Sequence, residues 1–163
     1  MKLSQFLTFA ETYNPSHFRS TPEKEDVLRY IGRLYAQHVS GADENLISEA
    51  LIERERLVTT GVGKGIAFPN AKVKGIEGVC IGLYALPEDF DWQSMDKKPV
   101  YVAIPVIAPN DFIGAHLNIM ARLSYILKSE INREQLKSAI DLSSGQINRK
   151  TVEAILDRFP DLT

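Results

Sequence analysis

Thr60-Gly61-Val62-Gly63-Lys64-Gly65-Ile66-Ala67-Phe68-Pro69-Asn70 is the stretch that decides how this chain is read. Its alternating glycines could offer backbone N–H groups to a phosphate, but nucleotide loops of that kind run directly into a helix. Here Ile66-Ala67-Phe68 is strand-like and Pro69 stops it, and no Gly-Lys-Ser/Thr is present. A dinucleotide or P-loop site is rejected. A tight turn using glycine's freedom at positive φ is expected instead.

Outward from this turn the chain divides into helix, strand and helix. Upstream, residues 12–20 read as a loop around Pro15, with a brief strand at His17-Phe18-Arg19. Thr21 is the expected N-cap of a helix with Pro22 at its first position. Val27, Leu28, Ile31, Leu34, Tyr35 and His38 continue it at helical spacing, and Gly41 closes it. Asp43 can cap a second helix whose inner side carries Leu46, Ile47, Ala50, Leu51 and Leu57. Downstream, residues 79–86 and 99–107 are near-continuous apolar runs, the mark of strands covered on both faces. A polar loop holding Trp92 joins them.

The last third is helical. Asn110 or Asp111 can cap a helix to about Lys128, with Ile113, Leu117, Met120, Leu123 and Leu127 as its stripe. Shorter helices are expected over 133–140 and 150–159. The reading is one α/β domain spanning residues 1–163, its core about 18–159, with a mixed β-sheet flanked by helices on both sides.

Composition narrows function by exclusion. Of 163 residues 44% are hydrophobic and 25% charged, with 19 basic against 21 acidic, so no net field draws nucleic acid or an anionic membrane. The first residues lack the apolar core of a signal peptide, and no run approaches the roughly 20 residues that span a bilayer. A cytoplasmic protein is expected. The single cysteine, Cys80, lies in an apolar run and reads as a packed, inert thiol.

Chemistry-bearing residues are few. His116, at the edge of an apolar helix side, reads by spacing alone as a partly buried histidine. His17 and His38 have no acidic or cysteine companions at ligand spacing, so neither a metal nor a cofactor site is expected. Glu53-Arg54-Glu55-Arg56 reads as a solvated helix face, and nothing intrinsic separates Arg54 from Arg56.

Together these signals carry a resemblance. Leu51-Ile52-Glu53-Arg54-Glu55-Arg56-Leu57, followed by the Thr60-to-Pro69 block and later by Gly114-Ala115-His116-Leu117, is similar to the fructose/mannitol/nitrogen-type EIIA domains of the phosphotransferase system. The likeness covers about 18–159. In that family a histidine after the proline accepts a phosphoryl group from the carrier HPr and passes it to an EIIB partner. The resemblance implies that Arg54 lies beside the phosphoryl group and that His116 hydrogen-bonds it. It also implies that Thr60, Gly61, Gly63 and Pro69 surround the site.

At the acceptor position this chain has Asn70. An imidazole can form a labile phosphoramidate, whereas a carboxamide nitrogen has its lone pair delocalised into the carbonyl. The resemblance thus implies a nitrogen-regulatory-type protein that binds HPr-like, EIIB-like or regulatory partners without carrying phosphate. Two alternatives keep phosphotransfer: His116 as acceptor, or histidine at position 70 in the natural protein with asparagine an engineered change. A scaffold role unrelated to phosphate is the fourth.

Overall fold

The structure, a computed structural model, describes residues 2–159. A 3₁₀ turn over Leu3–Phe6 leads into β1 (Leu7–Thr12), and a second over Pro15–His17 precedes helix α1 (Lys24–His38). Helix α2 (Glu44–Leu57) comes next, then strands β2 (Gly61–Gly63), β3 (Ile66–Ala67), β4 (Asn70–Val73), β5 (Cys80–Ala85), β6 (Val102–Ala103) and β7 (Val106–Pro109). Helices α3 (Ile113–Lys128) and α4 (Glu130–Ser138), a hairpin of β8 (Ile140–Asp141) and β9 (Gln146–Ile147), and α5 (Arg149–Leu156) complete it.

Seven strands form one mixed sheet. β5 is central: β1 lies parallel on one edge, and β6 and β7 pair antiparallel with it on the other. β3 runs parallel to β6 and β4 parallel to β7, while β2 folds back on β3. The sheet therefore carries two interrupted strands side by side. One breaks at Phe68-Pro69 between β3 and β4, the other at Ile104-Pro105 between β6 and β7. Each proline lacks a ladder donor, and the breaks are stitched by Ile104 N–H to Ala67 O and Val106 N–H to Pro69 O, both 2.9 Å. Two helical layers sandwich the sheet. One core packs α1 and α2 around Phe9, Tyr35, Tyr84 and Trp92; the other packs α3, α4 and α5 around Ile66, Phe68, Val106 and Leu123. This is the mixed, doubly covered sheet expected. No helix among the described residues is long and apolar enough to cross a membrane.

Local expectations fared unevenly. Asp43 caps α2 as expected, its carboxylate accepting from Leu46 N–H at 2.9 Å. α1 starts later than Thr21-Pro22: Glu23 is the N-cap, in a reciprocal capping box with Asp26. The chain at His17 is a 3₁₀ turn, capped by the Asn14 side chain, and not a strand. α3 begins after Phe112 without a side-chain cap, so neither Asn110 nor Asp111 fills that role. The run 99–107 is two strands where one was expected, and β1, β4 and the β8–β9 hairpin were not anticipated. α4 begins three residues earlier than expected and α5 one residue earlier, where Ser129 and Asn148 cap them with their side chains, and both end sooner than expected. Three expected core residues face solvent, Leu57, Ile113 and Leu117 at 82%, 56% and 63% exposure. Cys80 is buried as read, and burial pushes its thiol up to about 11.

Candidate functional site

The site is assembled where α2 ends, β4 begins and α3 begins. α2 packs against β4 and α3 against β7, and β4 and β7 are neighbours in the sheet.

The charged run closing α2 is not a uniformly solvated face. Glu55 is buried and sits at the centre of a polar knot. Its carboxylate accepts from Thr60 N–H, Thr60 Oγ1, Thr59 Oγ1 and Trp92 Nε1, and Lys24 Nζ lies at 3.2 Å. The residue four before Thr59 is thus an anchor that fixes the exit from the helix. Arg56 points out and makes a two-pronged pair with Glu25. Arg54, half-buried, donates from Nη1 to Val58 O at 2.9 Å, so it satisfies a carbonyl just past the helix end. Spacing alone could not separate these arginines, since the difference lies in which side of α2 the sheet covers.

The glycine-rich block is the tight turn expected of it. Gly63, Lys64 and Gly65 have φ of +97°, +63° and +83°, three left-handed residues in succession. A Cβ on Gly65 would fall 2.4 Å from the Tyr101 ring, and one on Gly61 within 2.9 Å of the Ser94 backbone. Lys64 N–H donates to Asp96 Oδ2 at 3.1 Å, and Thr60 O accepts from Phe68 N–H at 3.0 Å. Thr60, Gly61 and Gly63 are all buried in holding this hairpin shape. Their geometry delivers Pro69 and Asn70 to the strand break. Pro69 is buried there, and Asn70, half-buried, opens β4 with Nδ2 donating to Phe68 O at 2.9 Å.

His116 lies in the first turn of α3 and is 6% exposed. Its Nε2 is buried with no hydrogen-bond partner among the described residues. Burial lowers its pKa below the ordinary imidazole value, and the positive charges of Lys72 and Arg54 lower it further. The ring is therefore neutral near pH 7. It also follows that Arg54 and Lys72 both lie within electrostatic reach of it. Sequence reasoning had missed Lys72. The signal was available once β4 is a strand, because Asn70 and Lys72 are two residues apart and project from the same face.

These shifts give a pH expectation with a definite sign. The folded state binds the His116 proton more weakly than the unfolded chain does. The contribution of this residue to stability is therefore full above about pH 6.5 and falls as pH drops toward the lowered folded value. Proton NMR of the imidazole should show His116 titrating below the ordinary range. Arg54→Ala and Lys72→Ala should each raise its midpoint. A midpoint unmoved by both would show that burial alone sets it.

Around this cationic pocket the surface is apolar. Leu57 and Val58 leave α2, while Ile113 and Leu117 flank His116, and all are exposed by half or more. Arg54 and Lys72, with the unpartnered imidazole nitrogen of His116 buried within their electrostatic reach, suit an anion presented by another molecule. The apolar rim suits contact with a protein surface.

Comparison with known proteins gives the fold and the site a family context. Residues 16–158 match the family described as phosphoenolpyruvate-dependent sugar phosphotransferase system, EIIA 2. The nitrogen regulatory protein of Bradyrhizobium diazoefficiens is 34% identical over 107 residues, covering 65% of this chain and 69% of that protein. The crystal structure of nitrogen regulatory protein IIA-Ntr from Neisseria meningitidis superposes with a TM-score of 0.77 at 22% identity, over 94% of this chain and 98% of that one. Enzyme IIA mannitol, in its complex with phosphorylated enzyme IIB mannitol from Escherichia coli, superposes with a TM-score of 0.62 at 19% identity, over 89% and 97%.

Proposed function

The chain belongs to the EIIA 2 family of the phosphoenolpyruvate-dependent sugar phosphotransferase system, and on that premise we propose that it is a regulatory member that docks phosphotransfer partners without itself becoming phosphorylated. The observation that carries this reading is Asn70, held by its amide to Phe68 O at the mouth of the site. A carboxamide nitrogen is not a nucleophile toward phosphorus. It offers hydrogen bonds to a phosphoryl group that stays on the partner.

In this reading Arg54 and Lys72 neutralise the charge of a phosphoryl group on an incoming HPr-like or EIIB-like surface. Neutral His116 supplies a hydrogen bond from its ring, and Leu57, Val58, Ile113 and Leu117 provide the apolar contact. Thr60, Gly61, Gly63 and Pro69 act at one remove, by shaping the hairpin. A nitrogen-regulatory role is supported by the Bradyrhizobium relative, a nitrogen regulatory protein, and a cytoplasmic location belongs to the same reading. That role is one in which occupancy of the docking surface is the output.

The test is to incubate the protein with phosphoenolpyruvate, enzyme I and HPr and weigh it intact. No acid-labile gain of one phosphoryl mass is expected. Phosphorylated HPr should bind about tenfold more tightly than the unmodified carrier, and Arg54→Ala should remove that preference.

The unpartnered Nε2 of His116 favours one second reading, in which that nitrogen accepts the phosphoryl group itself. A mass gain in the native protein that disappears in His116→Ala would establish it in place of the first.

A further inference from the structure

Away from the site just described, a cavity of about 350 Å³ opens between the segment 17–20 and the outer sides of α1 and α2. That volume is in the range of small-molecule sites. Three kinds of side chain line it, and none takes part in the reading given above.

The first kind is aromatic. The His17 ring stacks on Tyr30 with centroids 4.3 Å apart and an interplanar angle of 14°. It is locked from both nitrogens, with Nδ1 3.1 Å from Tyr84 Oη and Nε2 3.4 Å from Glu11 Oε1. Phe18 lies 5.5 Å from Tyr30 and stacks on Tyr13. The result is a rigid, partly exposed aromatic wall with little rotamer freedom left to lose. The second kind is cationic. Arg19 makes no hydrogen bond or ion pair among the described residues, and Arg33 is held only by an exposed pair with Glu44 at 3.2 Å. Such exposed pairs are worth little and exchange readily. The third kind is acceptor groups, with the Glu44 carboxylate on the α2 side of the same cavity.

We propose that this cavity is a binding site for a nucleoside monophosphate. The three kinds of lining correspond to its three parts. A base stacks on the His17, Phe18 and Tyr30 wall. The phosphate takes the guanidinium forks of Arg19 and Arg33, which match its geometry in two-pronged fashion. Glu44, released from Arg33 by the phosphate, accepts from the ribose hydroxyls. Inorganic phosphate satisfies only the second part, and a free nucleoside only the first and third. The site shares no lining residue with the Asn70 region.

The intact protein should be titrated with AMP, GMP, CMP and UMP by calorimetry, with inorganic phosphate and the free nucleosides as controls. At least one nucleotide should bind saturably with a Kd below about 1 mM. Both controls should bind at least about tenfold more weakly. Arg19→Gln, a change on an exposed segment, should weaken binding by about tenfold or more, and Phe18→Ala likewise. Amide shifts mapped by NMR in the native protein should centre on Phe18, Arg19 and Asn45. The proposal is overturned if no nucleotide saturates, if Arg19→Gln binds like the native chain, or if inorganic phosphate binds as tightly. Shifts centred on His116 and Lys72 would overturn it too, and would assign the anion to the other site. Should a variant fail to fold, the native shift map decides alone.

Discussion

Asn70→His should let the protein take up a single acid-labile phosphoryl group from phosphoenolpyruvate, enzyme I and HPr, where the native chain is expected to gain no mass. The surroundings the acceptor needs are independent of residue 70. Arg54 is fixed at the end of α2 by Val58 O, and Lys72 projects from the same face of β4 as residue 70. An imidazole can donate one N–H to Phe68 O, the carbonyl that the Asn70 amide now uses at 2.9 Å. That bond would set the tautomer and leave the second nitrogen unprotonated as the nucleophile. Arg54→Ala in the histidine background should then slow uptake by about 10²-fold or more, because a fixed cation stabilises charge spread over the transferring oxygens. Intact-mass measurement over time reads both effects. A histidine variant that melts like the native protein but stays unlabelled would sink the idea that only the acceptor is missing.

The second large effect is on stability. Glu55→Ala should lower stability by about 3–5 kcal/mol, the cost of breaking a buried, multiply bonded charge. Glu55 is 5% exposed, and its removal strands Thr60 N–H, Thr60 Oγ1 and Trp92 Nε1 while leaving Lys24 without its carboxylate. At about 2–4 °C per kcal/mol for a chain of this size, the midpoint should fall by roughly 6–20 °C. Glu55→Gln keeps an acceptor for Trp92 but loses the charge opposite Lys24, so its loss should be clearly smaller. Thermal melts of both variants decide the matter. Equal losses would mean that charge, and not the hydrogen-bonded knot, carries the effect. No loss in either would remove Glu55 from the structural account of the hairpin.

Glu55 also shows where sequence reasoning stopped. Within Glu53-Arg54-Glu55-Arg56 the alternation looks solvated, yet one member is buried, one caps a carbonyl, and one pairs with α1. Periodicity places residues around a helix but does not say which side another layer will cover. Leu57 and Leu117 err in the opposite direction: apolar and in phase, they were placed inside and lie outside. Leu57 is the last residue of α2, and Leu117 lies off the side of α3 that buries His116, Ile119, Leu123 and Ile126. β1 was missed because its sequence, Leu7-Thr8-Phe9-Ala10-Glu11-Thr12, breaks the apolar alternation after Phe9, and only parallel pairing with β5 makes it a strand.

By itself the sequence determined the glycine turn, the apolar runs that become doubly covered strands, the Asp43 cap, the packed Cys80 thiol and the amide at residue 70. Each is a property of one residue or of a short repeat, and local stereochemistry suffices to state it. Tertiary structure alone decided that two prolines would break adjacent strands side by side. It also decided that Lys72 would join Arg54 and His116, and that Glu55 would hold the hairpin from inside. Those facts depend on contacts between segments far apart in the chain. Such contacts are fixed only when the layers close on one another and exclude water.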